Sequence, residues 1–145
     1  MTGELPGKEL TDRIIQAAIA VHRALGPGFL EAIYEEAFCI ELGWMGIAYE
    51  RQQSIPLMYR ERPIGEHRLD VLVEGIAVVE LKAISALEKI HFAVVRSYMK
   101  AVDTDIGLLL NFGSMPLTVK RVGRERQSNL ESENSGTEQC VPRCS

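Results

Sequence analysis

The chain has 145 residues, 46% of them hydrophobic, which is enough for one domain with its own core and too little for two comfortable ones. A formal charge of −4 excludes a surface that grips a polyanion everywhere, so contact with nucleic acid has to come from a local basic patch or a bound cation. Cys39, Cys140 and Cys144 make no disulfide framework, and no apolar run approaches the roughly 18 residues of a membrane span, so a cytoplasmic protein with no signal peptide and no membrane partner is expected.

Residues 1–11 are expected to be an N-terminal lead. Thr11 and Asp12 are cap residues for a helix over 13–25, in which Ile14, Ala18, Val21 and Leu25 recur at helical spacing. Gly26, Pro27 and Gly28 stop it. His22, close to that end, reads as a surface or capping group favoured by the helix dipole. A second helix is expected over 30–42, ending at Gly43 and burying Ile33, Tyr34, Ala37, Phe38 and Leu42. Glu31 lies in its first turn, where an acid complements the dipole by about 0.3–1 kcal/mol, and Tyr34 shares its face.

Segments 47–53 and 55–60 read as two strands divided near Ser54, with Pro56 at an edge or a strand start, and 62–65 as a turn. The stretch that organises the rest is 69–82, LDVLVEGIAVVELK: two short apolar runs broken at Glu74 and Gly75, the pattern of a buried hairpin. Asp70, Glu80 and Lys82 lie inside those runs, and buried charges have to be paired, hydrogen-bonded or bound to metal. Glu80 and Lys82 share a strand face in any register. A two-residue turn sets Asp70 opposite Val79, whereas a three-residue loop of Glu74, Gly75 and Ile76 sets it opposite Glu80; the odd loop is expected. His67 falls on the strand face opposite to Asp70, a poor place for a co-ligand.

Ser85 and Glu88 form a capping-box pattern that opens a third helix reaching about residue 102, with Ile90, Val94, Val95, Tyr98 and Met99 on its apolar side and His91 as a structural histidine. The apolar run 106–112 is an interior strand and 117–122 a last short one. The polar tail 123–145 is expected to be disordered, and Cys140 and Cys144 lack the further ligands of a zinc site. Lys89, Arg96, Lys100, Lys120, Arg121, Arg124 and Arg126 read either as the rim of a phosphate track or, more plainly, as solvated surface.

A crossover helix between the Glu80–Lys82 strand and the 106–112 strand implies a parallel pair with helices packed on the sheet, hence a small α/β sandwich. Two carboxylates on one face suit a hard divalent cation such as Mg²⁺. Such an ion polarises a phosphoryl oxygen and acidifies a bound water, while Lys82 positions that water or stabilises charge on the phosphate.

Asp70 followed by Glu80-Leu81-Lys82 resembles the D…(D/E)xK core of the PD-(D/E)xK nuclease superfamily, and Gly28-Phe29-Leu30-Glu31-Ala32-Ile33-Tyr34 is similar to the motif that names its GxxExxY family. The likeness spans 14–122. It implies a restriction-endonuclease-like fold, a central mixed sheet with flanking helices in a single domain over 12–122. It also implies hydrolysis of phosphodiester bonds in DNA or RNA with Mg²⁺ or Mn²⁺, and a catalytic set of Glu31, Asp70, Glu80 and Lys82. In that set Asp70 and Glu80 are metal ligands, Glu31 is a further acid at the metal, Lys82 assists the base, and Tyr34 packs with its hydroxyl tied to the site. Two positions depart from the family: Val94 stands where relatives often carry glutamine four residues before a tyrosine, here Tyr98, and Leu69 replaces the usual proline. A catalytically weak or inactive nuclease-like module that binds nucleic acid or protein is the alternative, and a buried structural salt bridge the plainest reading of the charges. Oligomeric state is not encoded in any motif.

Overall fold

The computed structural model describes residues 7–124. The expected tail lies outside the described residues from 125 onward, together with Arg126, Cys140 and Cys144. Helix α1 (Lys8–Leu25) begins ahead of the expected Thr11-Asp12 cap. Thr11 is an interior position instead: it is buried, donates to the Lys8 carbonyl at 3.1 Å and accepts from the Arg121 guanidinium at 2.6 Å. Gly26, with φ 70°, ends the helix by donating to the His22 carbonyl at 2.8 Å.

Helix α2 (Glu31–Trp44) runs through Gly43 and stops at Met45, just before Gly46 with φ 75°. Its buried side is rotated from the expected one. Tyr34, Glu35, Phe38, Cys39 and Leu42 face inward, while Ile33 is 44% exposed.

Strand β1 (Tyr49–Tyr59) is continuous, not two strands, and tolerates Pro56 because it lies at the sheet edge, where a missing donor costs no ladder bond. Arg60 and Glu61, with φ 51° and 64°, form the tight turn into β2 (Arg62–Val73). The expected turn at 62–65 is therefore strand, with a register irregularity opposite Leu57 and Met58. Strand β3 (Ala77–Lys82), helix α3 (Lys89–Val102), strand β4 (Ile106–Asn111) and strand β5 (Thr118–Val122) complete the unit.

The sheet order is β1-β2-β3-β4-β5. Only β3 and β4 are parallel, joined by α3 as the crossover. Val71, Val73, Val79, Leu81, Leu108 and Leu110 pack on α1 and α2, and Leu72, Val78 and Leu109 pack on α3. Helices thus cover both faces of the central strands, which is why β4 reads as an unbroken apolar run. Helix α3 is capped by Glu88 rather than Ser85, with the Glu88 backbone N–H donating to His91 Nδ1 at 2.9 Å, so His91 has the structural role expected of it. His22 is not a surface group: it is 7% exposed, and its Nε2 bonds the Ser114 carbonyl at 2.9 Å across the molecule.

Candidate active site

The β2–β3 connection is the odd loop. Val73 faces Ala77 across three residues, Glu74, Gly75 and Ile76, and the first two take φ 54° and 73° to close it. Pairing then runs Leu72 with Val78 and Val71 with Val79, and stops. One step further the register sets Asp70 opposite Glu80, but there the backbones part. Strand β2 continues against β1 alone, and Asp70 Oδ2 accepts the Leu81 N–H at 3.0 Å in place of a backbone carbonyl.

Alternation breaks at the same point. Leu69 belongs to the α3-side core and Val71 to the α1/α2-side core, so the strand rolls over at Asp70. On β1 the residue between the paired Arg51 and Gln53 is Gln52, which has φ 50°. A non-glycine residue in this region costs about 1–2 kcal/mol, and its neighbours hold it there: its side-chain amide donates to both oxygens of Glu35 at 3.0 and 3.1 Å.

Glu80 is 5% exposed, and its Oε1 is buried without a hydrogen-bond partner. Its Oε2 lies 3.4 Å from Lys82 Nζ. Burial, followed by the charge of Asp70, pushes the Glu80 carboxyl up to about 8 against the pull of Lys82. Burial also raises Asp70, to about 6; the Leu81 N–H opposes, the charges of Glu35 and Glu31 add to the rise, and Lys82 counters them. The two acids therefore retain a proton between them near neutral pH. Glu31 stands on the other side of Lys82, its Oε2 4.0 Å from Nζ, with 46% of its side chain exposed. All four residues expected of the site thus converge on the open end of β3.

Tyr34 does something different from what was expected. Its hydroxyl is not bound to the carboxylates but donates to the Gly26 carbonyl at 2.5 Å and accepts the Phe29 N–H at 3.2 Å, and its ring stacks on Phe112 at 4.8 Å. It fixes the turn that delivers Glu31. On the far side of β3, the Asn111 amide binds Ile84 through both N–H and carbonyl at 3.0 Å, and a Cβ on Gly113 would lie 2.5 Å from the Ile84 oxygen, so the chain leaving Lys82 is held tightly.

Sequence reading missed Glu35, Arg51 and Gln52. Glu35 is 7% exposed, accepts Arg51 Nε at 3.1 Å as well as Gln52, and stands near enough to Asp70 to affect its charge. The available signal was its place one turn after Glu31, on the same helix face. Tyr98 was expected only as an apolar contact, yet its hydroxyl donates to the Arg68 carbonyl at 2.8 Å; burial first, then Glu80 and Asp70, pushes it up to about 12. Val94 packs against the α3-side core.

Among the described residues no group of three His, Cys, Asp or Glu side chains is arranged to hold a metal ion. Mg²⁺ does not require one, since it is commonly held by one or two carboxylates with water and substrate phosphate. Asp70 and Glu80, with one orphaned buried oxygen, fit that donor chemistry. No helix among the described residues is long and apolar enough to cross a membrane.

A mixed sheet flanked by three helices, with an acid pair and a lysine at a strand fork, defines a restriction-endonuclease-like α/β protein. The profile of the PD-(D/E)XK nuclease superfamily matches residues 8–122, most of the chain, and the protein belongs to that superfamily. No curated protein and no solved structure matches it.

Proposed function

We propose that this protein is a metal-dependent nuclease of the GxxExxY branch that hydrolyses phosphodiester bonds in DNA or RNA in the cytoplasm. The unit responsible is the expected 12–122 domain, extended back by α1 to Lys8 at the expense of the expected 1–11 lead, with 123–145 a polar tail. The observation that carries this reading is Glu80, a buried carboxyl with no N–H donor on Oε1 that stands against a second acid, Asp70, instead. A purely structural ion pair would satisfy both oxygens.

Asp70 and Glu80 would hold Mg²⁺ or Mn²⁺, with Glu31 as the outer acid across Lys82. A bound cation supplies polarisation of a phosphoryl oxygen and an acidified water. The chain does the rest: the Leu81 N–H orients Asp70, the fork keeps both carboxylates at one spot, and Lys82 presents its ammonium to the phosphate. The proton retained by the acid pair has to leave before both carboxylates bind a cation, so metal affinity rises with pH.

Purified protein incubated with labelled single- and double-stranded DNA and RNA is expected to cut at least one of them with Mg²⁺ or Mn²⁺ and to stop when the ion is chelated. Asp70→Ala and Lys82→Ala should each abolish cutting, whereas only Asp70→Ala should also remove the thermal upshift given by millimolar Mn²⁺. Activity that survives both substitutions overturns the assignment. One observation favours a nuclease-like module that binds without cutting: Val94, in place of the amide, is committed to core packing. Binding without a metal-induced thermal shift would select that reading.

A further inference from the structure

We propose that the free end of the β1–β2 hairpin is a duplex-binding arm that lays nucleic acid toward the carboxylate fork. The inference rests on the nucleic-acid reading above but not on catalysis. From Met58 to Glu66 every residue is exposed, and this part of the hairpin extends past the fork, eight residues and up to about 26 Å along β2 from Asp70 to Arg62.

Clustering of arginines marks this arm. Lys8, Arg51, Lys82, Arg121 and Arg124 each hold an acid. Arg60, Arg62 and Arg68 are exposed and form no ion pair among the described residues, and Arg60 instead lies over the Tyr59 ring at 5.9 Å. Arg13, Arg23, Lys89, Lys100 and Lys120 also form no ion pair among the described residues, but they are scattered over α1, α3 and β5. Residues 58–68 carry three arginines against Glu61 and Glu66, a net positive segment in a chain of −4. This is the local basic patch that the overall charge requires of a nucleic-acid-binding surface.

Apolar groups accompany the arginines: Met58, Tyr59 and Ile64 are 55%, 63% and 66% exposed. A two-stranded ribbon fits the major groove, and guanidiniums bind phosphate in bidentate fashion. An acidic protein surface would satisfy the arginines but gives no reason for the ribbon to be rooted at Asp70. Arg68 ties root to site. Only two residues from Asp70, its carbonyl is held by Tyr98 while its side chain is exposed.

The test is fluorescence anisotropy of a short labelled DNA duplex and its matching single strand, with chelator present, across a salt series. The wild type should bind the duplex more tightly than the single strand. The variant Arg60→Gln, Arg62→Gln, Arg68→Gln should bind the duplex at least about tenfold more weakly, with a salt slope shallower by about 2–3. A control of equal charge change, Lys89→Gln, Lys100→Gln, Lys120→Gln, should stay within about twofold, since those lysines are exposed on other elements. Should the triple variant fail to fold by circular dichroism, the three single variants are each expected to lower the slope by about 0.9. Equal loss in the control, no loss in the arginine variants, preference for the single strand, or no duplex binding at all overturns the proposal. Hairpin-dependent binding without any cleavage leaves it standing and removes only the catalytic reading.

Discussion

Glu35 and Glu80 are buried to nearly the same degree, 7% and 5% exposed, yet their surroundings are opposite. Glu35 has both oxygens occupied, by Arg51 and Gln52, and ties α2 to β1. Glu80 has Lys82 on one oxygen, none on the other, and a second acid beside it. Burial of a charge alone therefore does not single out a candidate site; a buried oxygen left without a donor does. The first cluster ties α2 to β1, and the second is the one that the proposed nuclease would use.

The largest effect separating them is on chemistry. Asp70→Ala or Lys82→Ala is expected to lower metal-dependent cleavage by at least about 10²–10³, roughly 3–4 kcal/mol of barrier or more, which takes it below detection on a labelled-substrate gel. Glu35→Ala should act on stability instead. Removing one partner of a fully buried pair costs about 3–5 kcal/mol; the Arg51 side chain is 35% exposed, so about 2–3 kcal/mol is expected in urea unfolding. A loss there no larger than that of a surface pair would erase the contrast between the clusters.

Glu80→Gln reverses the sign. The folded-state value of about 8 lies above the ordinary 4.5, so the native protein binds the proton more tightly than the unfolded chain does. This stabilisation is present below the ordinary value and is lost as pH rises through the folded one, so wild-type stability should fall from about pH 5 to pH 8. Glutamine carries no charge to bury, and Glu80→Gln should be more stable by about 1–2 kcal/mol at pH 8, a few degrees in melting temperature, with the gap closing toward pH 5. A variant less stable than wild type at pH 8 would mean that the carboxylate is needed by the fold. Smallest is Glu36→Gln, which breaks the exposed Arg51–Glu36 pair at 2.8 Å and is expected to cost no more than about 0.5 kcal/mol by thermal melting.

Much of this was legible in the sequence. The apolar runs gave β3 and β4, and the charges inside 69–82 called for the odd loop that sets Asp70 opposite Glu80. The burial of Glu35 was not legible from periodicity, which ranks positions by hydropathy and so turned the buried face of α2 toward Ile33; only its spacing from Glu31 pointed to it, and its partners lie 16 and 17 residues ahead in β1. Nor was the length of β1, where Ser54 and Pro56 read as breakers; at a sheet edge neither interrupts the strand, and the Ser54 hydroxyl bonds Glu66 across the hairpin. Periodicity reports which faces are apolar. Long-range polar partners are a property of the assembled sheet.

Asp70 occupies a place on the ladder that a backbone carbonyl would otherwise fill. The Leu81 amide is therefore a built-in gauge of that carboxylate. Its nitrogen–proton resonance should move as Asp70 takes up a proton or binds a cation, and its exchange with solvent deuterium should quicken in Asp70→Ala while the Val79 amide, still inside the paired segment, stays protected. One peak in a correlation spectrum would then follow the charge state of the site without any substrate present.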